Sequence, residues 1–330
     1  HFHELPSFFE EGVYPVDVAF ISVSEPNEEG YCSFGVSCDY TKPAAECARI
    51  VVAEVNKQMP FIGGDNLIHV TKLDYIVPVD RPLVEIPPAP IGEVEQRIGE
   101  ICAELIEDGD TLQIGIGAIP DAVLQCLQGR KDLGLHTEMF TDGVMHMIQS
   151  GHVTGEKKTL HHRKVASSII MGSKALYDFI DHNEMIEMYP VNHMNDPYVI
   201  GQNDRMVSIN SCLEIDLYGQ VASEAIGLEQ FSGTGGQVDY LRGAKRSRGG
   251  RSILAFTSTA KGGTVSRIVP VLPPGATVTS GRNEVDYIAT EYGAVRLRGL
   301  TLRERALALV SIAHPDFRPG LMAAIEERFS

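Results

Sequence analysis

Residues 111–124, TLQIGIGAIPDAVL, decide the fold. An apolar run of Leu112, Ile114 and Ile116 ends in Gly115 and Gly117, after which Pro120 and Asp121 open an amphipathic helix. A strand, a glycine turn and a helix start leave backbone N–H groups free to face an anion or a developing oxyanion. Further along, LHTEMFTDGV at 135–144 sets Glu138 in a short strand-like run beside the turn pair Asp142-Gly143. A carboxylate near such a turn points to acyl chemistry with a glutamate nucleophile.

The same stretch excludes other chemistries. GIGAIP lacks the third glycine of a dinucleotide fingerprint, and no GK[ST] follows to make a phosphate-binding loop. No GxSxG elbow presents a serine nucleophile. His161-His162 and His193 lack a third ligand at diagnostic spacing, so no metal site is expected. Taken alone, GIGAIP would be read as a tight turn, and Glu138 as one of 44 acidic residues, most of them solvated or capping.

Working outward, residues 16–24 and 73–79 read as strands, and residues 44–55 carry apolar positions at helical spacing (Ala45, Ala48, Val52, Val55). VEIPPAPI at 84–91 has the composition of an extended linker and sets the expected domain boundary, giving residues 1–86 and 87–330. A helix follows on Ile91, Val94, Ile98, Ile101, Cys102 and Leu105, with further strands expected at 165–171, 206–209 and 252–256. Leu213, Ile215 and Leu217 alternate with Glu214 and Asp216, which are read as structural acids. The alternation of strands and helices indicates an α/β protein with mainly parallel or mixed sheets.

Composition bounds the function. The 330 residues are 43% hydrophobic and 22% charged, ordinary values for a globular chain of two domains. A net charge of −16 argues against nucleic acid as a partner, and no apolar run reaches the roughly 18–20 residues of a membrane span. Six scattered cysteines without a CxxC pair read as reduced thiols of a cytoplasmic protein. Between residues 240 and 283 stand eight Lys and Arg and no acid. That segment is either a solvated basic loop or a holder of a small polyanion.

Longer stretches carry a family resemblance: residues 24–46 (SEPNEEGYCSFGVSCDYTKPAAE), 55–60 (VNKQMP), 115–123 (GIGAIPDAV), 136–144 (HTEMFTDGV), 209–224 (INSCLEIDLYGQVASE) and 232–244 (SGTGGQVDYLRGA). In that order they resemble the acetyl-CoA hydrolase/transferase family, class I CoA-transferases that include the acetate and 4-hydroxybutyrate enzymes. The resemblance implies two open α/β domains of CoA-transferase type, the first N-terminally incomplete because the chain starts inside it. It implies transfer of CoA between a short-chain acyl-CoA and a carboxylic acid through a glutamyl-CoA thioester, with coenzyme A as substrate, no metal, and a homo-oligomer, a dimer. Glu138 would be the nucleophile. Gly115, Ile116, Gly117, Ala118, Ile119, Gly233, Gly235 and Gly236 would line the oxyanion and CoA site, and Lys261 would hold a CoA phosphate. An ordinary glutamate is ionised at neutral pH, so no general base is expected. Hydrolysis at the same site is the enzymatic alternative, and a fragment that only binds CoA or a partner subunit is the other.

Overall fold

The computed structural model describes residues 1–329. Near the start, β1 (Val18–Val23), β2 (Ile50–Asn56) and β3 (Tyr75–Val79) form a parallel sheet in that order. Val23, Val51 and Ala53 of its inner face pack with Phe34 and Ala45. The helix expected over 44–55 is corrected here. Helix Thr41–Cys47 ends early, and β2 begins three residues on. Ile50-Val51-Val52 is a β-branched run that favours a strand. Val51, Ala53 and Val55 are its buried alternate positions, so period two prevails over the apparent helical period.

The second sheet has nine strands. Its named members are β4 (Thr111–Ile114), β5 (Gly134–Phe140), β6 (Val165–Ile170), β7 (Ile186–Met188), β8 (Met206–Asn210), β9 (Arg251–Ala255), β10 (Tyr287–Thr290) and β11 (Gly293–Arg296). The order is β11-β10-β9-β8-β4-β5-β6-β7, closed by the short strand Gly63–Gly64. Every pairing is parallel except β10 with β11. The strands expected at 165–171, 206–209 and 252–256 are β6, β8 and β9.

Helices cover both faces, as a parallel sheet requires. The named ones are α1 (Glu93–Glu104), α2 (Ala118–Cys126), α3 (Asp142–Gln149), the single turn α4 (Val191–Met194) and α5 (Gln237–Arg246). Val207 and Ile209 of β8 share a core with Ile98 of α1 and Val123 of α2, whereas Met206 packs with Tyr240 and Ala244 of α5. Neighbouring residues of one strand therefore serve opposite layers. Leu112, Leu127 and Leu135 are fully buried, each worth roughly 1.5–3 kcal/mol of transfer free energy. The extended segment at 84–91 is tied to this domain, since Tyr177 donates to the Val84 carbonyl and the Ile86 N–H donates to Gly172.

Strand order positions the site. Successive strands β4 to β7 step one way across the sheet, and β8 to β11 step the other way from β4. Strand order therefore reverses between β4 and β8, the switch point at whose carboxyl ends open α/β sheets bind ligands. The loop at 115–117 leaves β4 at that end, and Glu138 stands near the carboxyl end of the neighbouring strand β5.

Candidate active site

Register brings the two parts of the opening sequence together. Thr111 pairs with Gly134 and Leu112 with Leu135. The Thr137 hydroxyl accepts from the Ile114 N–H at 3.2 Å and donates to the Ile114 carbonyl at 3.0 Å. Thr137, the residue before Glu138, is thereby tied to Ile114, the residue before Gly115. Gly117 caps α2 with a φ of 116°, a conformation that favours glycine, and an added Cβ would meet nothing within 4 Å. Ala118 and Ile119 form the first turn of α2, and Ile116 is exposed on the loop. This turn thus borders open space at Gly117.

On β5, His136 and Glu138 point to the same side, two residues apart. His136 is fully buried and its Nε2 lies 2.9 Å from the Met194 carbonyl. The Glu138 Oε2 accepts a 2.5 Å hydrogen bond from Asn195 Nδ2, while the Ser167 hydroxyl donates to the Glu138 carbonyl at 3.1 Å. Asn195 is itself fully buried, and its Oδ1 accepts from the Tyr240 hydroxyl at 3.3 Å. The carboxylate is therefore held by a chain of buried polar groups from α4 to α5.

The electrostatics correct one expectation. Burial pushes the Glu138 carboxyl up from 4.5 to about 7; the Asn195 hydrogen bond opposes that rise, and the charges of Asp239 and Asp39 add to it. The side chain is not the freely ionised glutamate anticipated from residue type. In the ligand-free protein its carboxyl therefore titrates near neutrality.

The second glycine stretch divides. Gly236 caps α5 directly against the glutamate, and a Cβ there would collide with Glu138 Oε2 and Asn195 Nδ2. Gly233 and Gly235 face space open beyond 4 Å, and Gly235 has a φ of +55°.

The basic segment is mostly engaged within the protein. Arg242 pairs with Glu284 at 3.3 Å, Lys245 bonds the Asn283 carbonyl at 2.9 Å, and Arg248 pairs with Asp204. Arg251 meets the buried Asp110, and Arg267 is spent on the carbonyls of Cys212 and Leu213. Intramolecular pairing thus engages Lys245, Arg248 and Arg251. Lys261 differs: it is exposed on the hairpin between Thr259–Ala260 and Val265–Ser266, with a φ of 50°.

The remaining polar candidates are structural. Asp216 is buried and organises a turn by accepting from the N–H groups of Tyr218 and Gln220. His161 and His193 approach each other at 2.9 Å between their Nε2 atoms. Among the described residues no group of three or more His, Cys, Asp or Glu is arranged to hold a metal ion. Nor is any helix among them long and apolar enough to cross a membrane. Sequence reasoning missed Asn195, which stands in no recognisable pattern. It also passed over Asp239 and Tyr240, although both lie within SGTGGQVDYLRGA.

Comparison with known proteins adds independent findings. The profile of the acetyl-CoA hydrolase/transferase N-terminal domain matches residues 1–88, and that of the acetyl-CoA hydrolase/transferase C-terminal domain matches residues 172–325. A 4-hydroxybutyrate coenzyme A transferase of Clostridium kluyveri is 58% identical over 99% of this chain and 76% of its own length. The crystal structure of a 4-hydroxybutyrate CoA-transferase from Porphyromonas gingivalis superposes with a TM-score of 0.92 at 64% identity, covering 100% of this chain and 79% of that one. RipA from Yersinia pestis gives a TM-score of 0.95 at 41% identity, covering 100% of this chain and 74% of that one.

Proposed function

Given that this chain belongs to the acetyl-CoA hydrolase/transferase family and is a CoA-transferase, we propose that it moves CoA between a short-chain acyl-CoA and a carboxylic acid of the acetate or 4-hydroxybutyrate type, with Glu138 as the covalent carrier. The observation that carries this reading is the setting of Glu138: next to Thr137, which bonds the residue before the Gly115 turn, hydrogen-bonded to Asn195 and faced by Gly236.

In the reaction, an oxygen of the Glu138 carboxylate attacks the thioester carbonyl of the acyl-CoA. The C–S bond breaks, giving CoA thiolate and an acyl-glutamyl anhydride. The thiolate attacks the glutamyl carbonyl, the anhydride C–O bond breaks, and the donor acid leaves as its carboxylate. The enzyme now carries CoA as a glutamyl thioester, and a second carboxylate reverses the two steps. Each attack builds a tetrahedral oxyanion, for which backbone N–H groups of the 115–119 turn and of the 233–236 turn are the donors. Burial that raises the Glu138 pKa also makes its ionised form less solvated and more reactive toward the thioester.

The test is an exchange assay with a panel of short acyl-CoA donors and acids, run beside a hydrolysis control without acceptor. Wild-type protein incubated with acyl-CoA and then borohydride should be inactivated, because the glutamyl thioester is reduced. Glu138→Ala should lose transfer while binding CoA with near-native affinity. Substantial transfer by Glu138→Ala would rule out the covalent role, and acyl-CoA consumption independent of acceptor would show a hydrolase.

A further inference from the structure

A half-buried hydrogen-bonded pair ties the turn at residues 2–4 to the glycine turn at Glu138. His3 and Asp239 are 236 positions apart, yet His3 Nδ1 lies 2.8 Å from Asp239 Oδ1, and the His3 N–H donates to Asp239 Oδ2 at 3.3 Å. Asp239 is fully buried in the first turn of α5, three residues after Gly236. The next residue, Tyr240, bonds the oxygen of Asn195, whose nitrogen holds Glu138. The short turn Phe2–Glu4 that carries His3 also packs on α4, the element that ends at Asn195. One N-terminal turn thus rests on both supports of the Glu138 carboxylate.

We infer that His3 and Asp239 are a positioning pair, which fixes the first turn of α5 and with it Gly236 against Glu138, and which offsets the negative charge that Asp239 would otherwise direct at the carboxylate. The inference rests on Glu138 being the reacting group. Its electrostatic part concerns the carboxylate whatever that group does.

The surrounding charges define what the pair must do. Glu138 is faced by Asp239 and Asp39, with Asn195 its hydrogen-bond partner. His3 is faced by Asp239, Glu4 and Asp196, and its pKa is held above 6.5 chiefly by the Asp239 hydrogen bond, against the opposing effect of burial. His1 lies 3.6 Å from Asp239 and contacts Arg242. A protonated His3 compensates Asp239, and removing its charge takes away that share of the compensation.

The experiment follows the Glu138 carboxyl directly by ¹³C NMR titration of glutamate-labelled protein, assigned with Glu138→Gln, and the pH profile of kcat/KM in parallel. His3→Gln keeps a side-chain donor without the charge, and should move the Glu138 titration up by roughly half to one pH unit. Asp239→Asn should move it down by more than that, because Asp239 is the charge that acts on Glu138 directly. If either single variant fails to fold, the double variant His3→Gln/Asp239→Asn retains a hydrogen-bonded neutral pair, and Glu138 should titrate below wild type in it. An unchanged titration in the folded variants overturns the inference. A carboxyl shift that kcat/KM does not follow sustains the pair and counts instead against Glu138 as the nucleophile.

Discussion

No side-chain atom can stand between Gly236 and Glu138: a Cβ on residue 236 would fall onto both Oε2 of the glutamate and the Asn195 nitrogen that holds it. The absence of a side chain at 236 is therefore a condition of the carboxylate's placement. Gly236→Ala should lower kcat by at least about a hundredfold, as expected for displacement of a reacting group by about an ångström. Gly233 has open space, and Gly233→Ala should leave the melting temperature unchanged. A Gly236→Ala protein with near-native kcat would remove Gly236 from the site.

Glu138 should impose an acid limb on catalysis. Because its carboxyl titrates at about 7 in the free protein, kcat/KM should rise about tenfold per pH unit below that value and level off above it. A profile flat from pH 5 to 8 would contradict this.

The same shift affects stability, with a definite sign. The folded-state value of about 7 exceeds the unfolded 4.5, so the folded protein binds this proton more tightly. The resulting stabilisation is full below pH 4.5 and is lost as pH rises through 7. Glu138→Gln removes the buried charge. At pH 8 it should be more stable than wild type by about 3 kcal/mol, and well below pH 4.5 it should be equal. Denaturant melts at the two pH values give the comparison, and a variant destabilised at pH 8 would show that the carboxylate is better solvated than its burial implies.

Asn195 supplies the one side-chain hydrogen bond that favours the ionised glutamate. Asn195→Ala should move the acid limb to higher pH and reduce the plateau rate roughly ten- to a hundredfold, the range for loss of a buried charge-assisted bond of about 1.5–3 kcal/mol. A lower rate with an unmoved limb would assign Asn195 a purely steric role.

The basic residues should separate into two groups. Arg251 and Arg205 both bond the fully buried Asp110, so Asp110→Ala should destabilise by about 3–5 kcal/mol. Lys261→Ala should leave the melt unchanged and raise the Kd for CoA roughly ten- to a hundredfold, as loss of one charge-assisted phosphate contact requires. If Lys261 contacts the ribose phosphate, wild type should bind dephospho-CoA more weakly than CoA while the variant binds both alike. Unchanged CoA affinity would leave Lys261 as an exposed turn residue.

Local chemistry made part of this protein legible before any fold was known. The run from Leu112 to Asp121 specifies a strand, a turn and a helix through apolar spacing, glycine and proline, all of which act over a few residues. Glu138 is singled out through HTEMFTDGV and its family resemblance, both of which are legible in a few consecutive residues. Where two local periods competed, at 44–55, the sequence alone misjudged the outcome, because Val51 and Ala53 become core only when β2 is paired with β1. The tertiary structure alone decided the rest. Asn195, the adjacent pair Asp239-Tyr240 and His3 come together around the carboxylate from three separate parts of the chain, and their meeting follows from strand order and helix packing. The Glu138 pKa is likewise a tertiary property, since burial and the charges of Asp39 and Asp239 exist only once distant segments close around it. The basic run at 240–283 looked free because its partners, Asp110, Asp204 and Glu284, lie outside it, and opposite charges brought together by folding leave no mark in the local sequence.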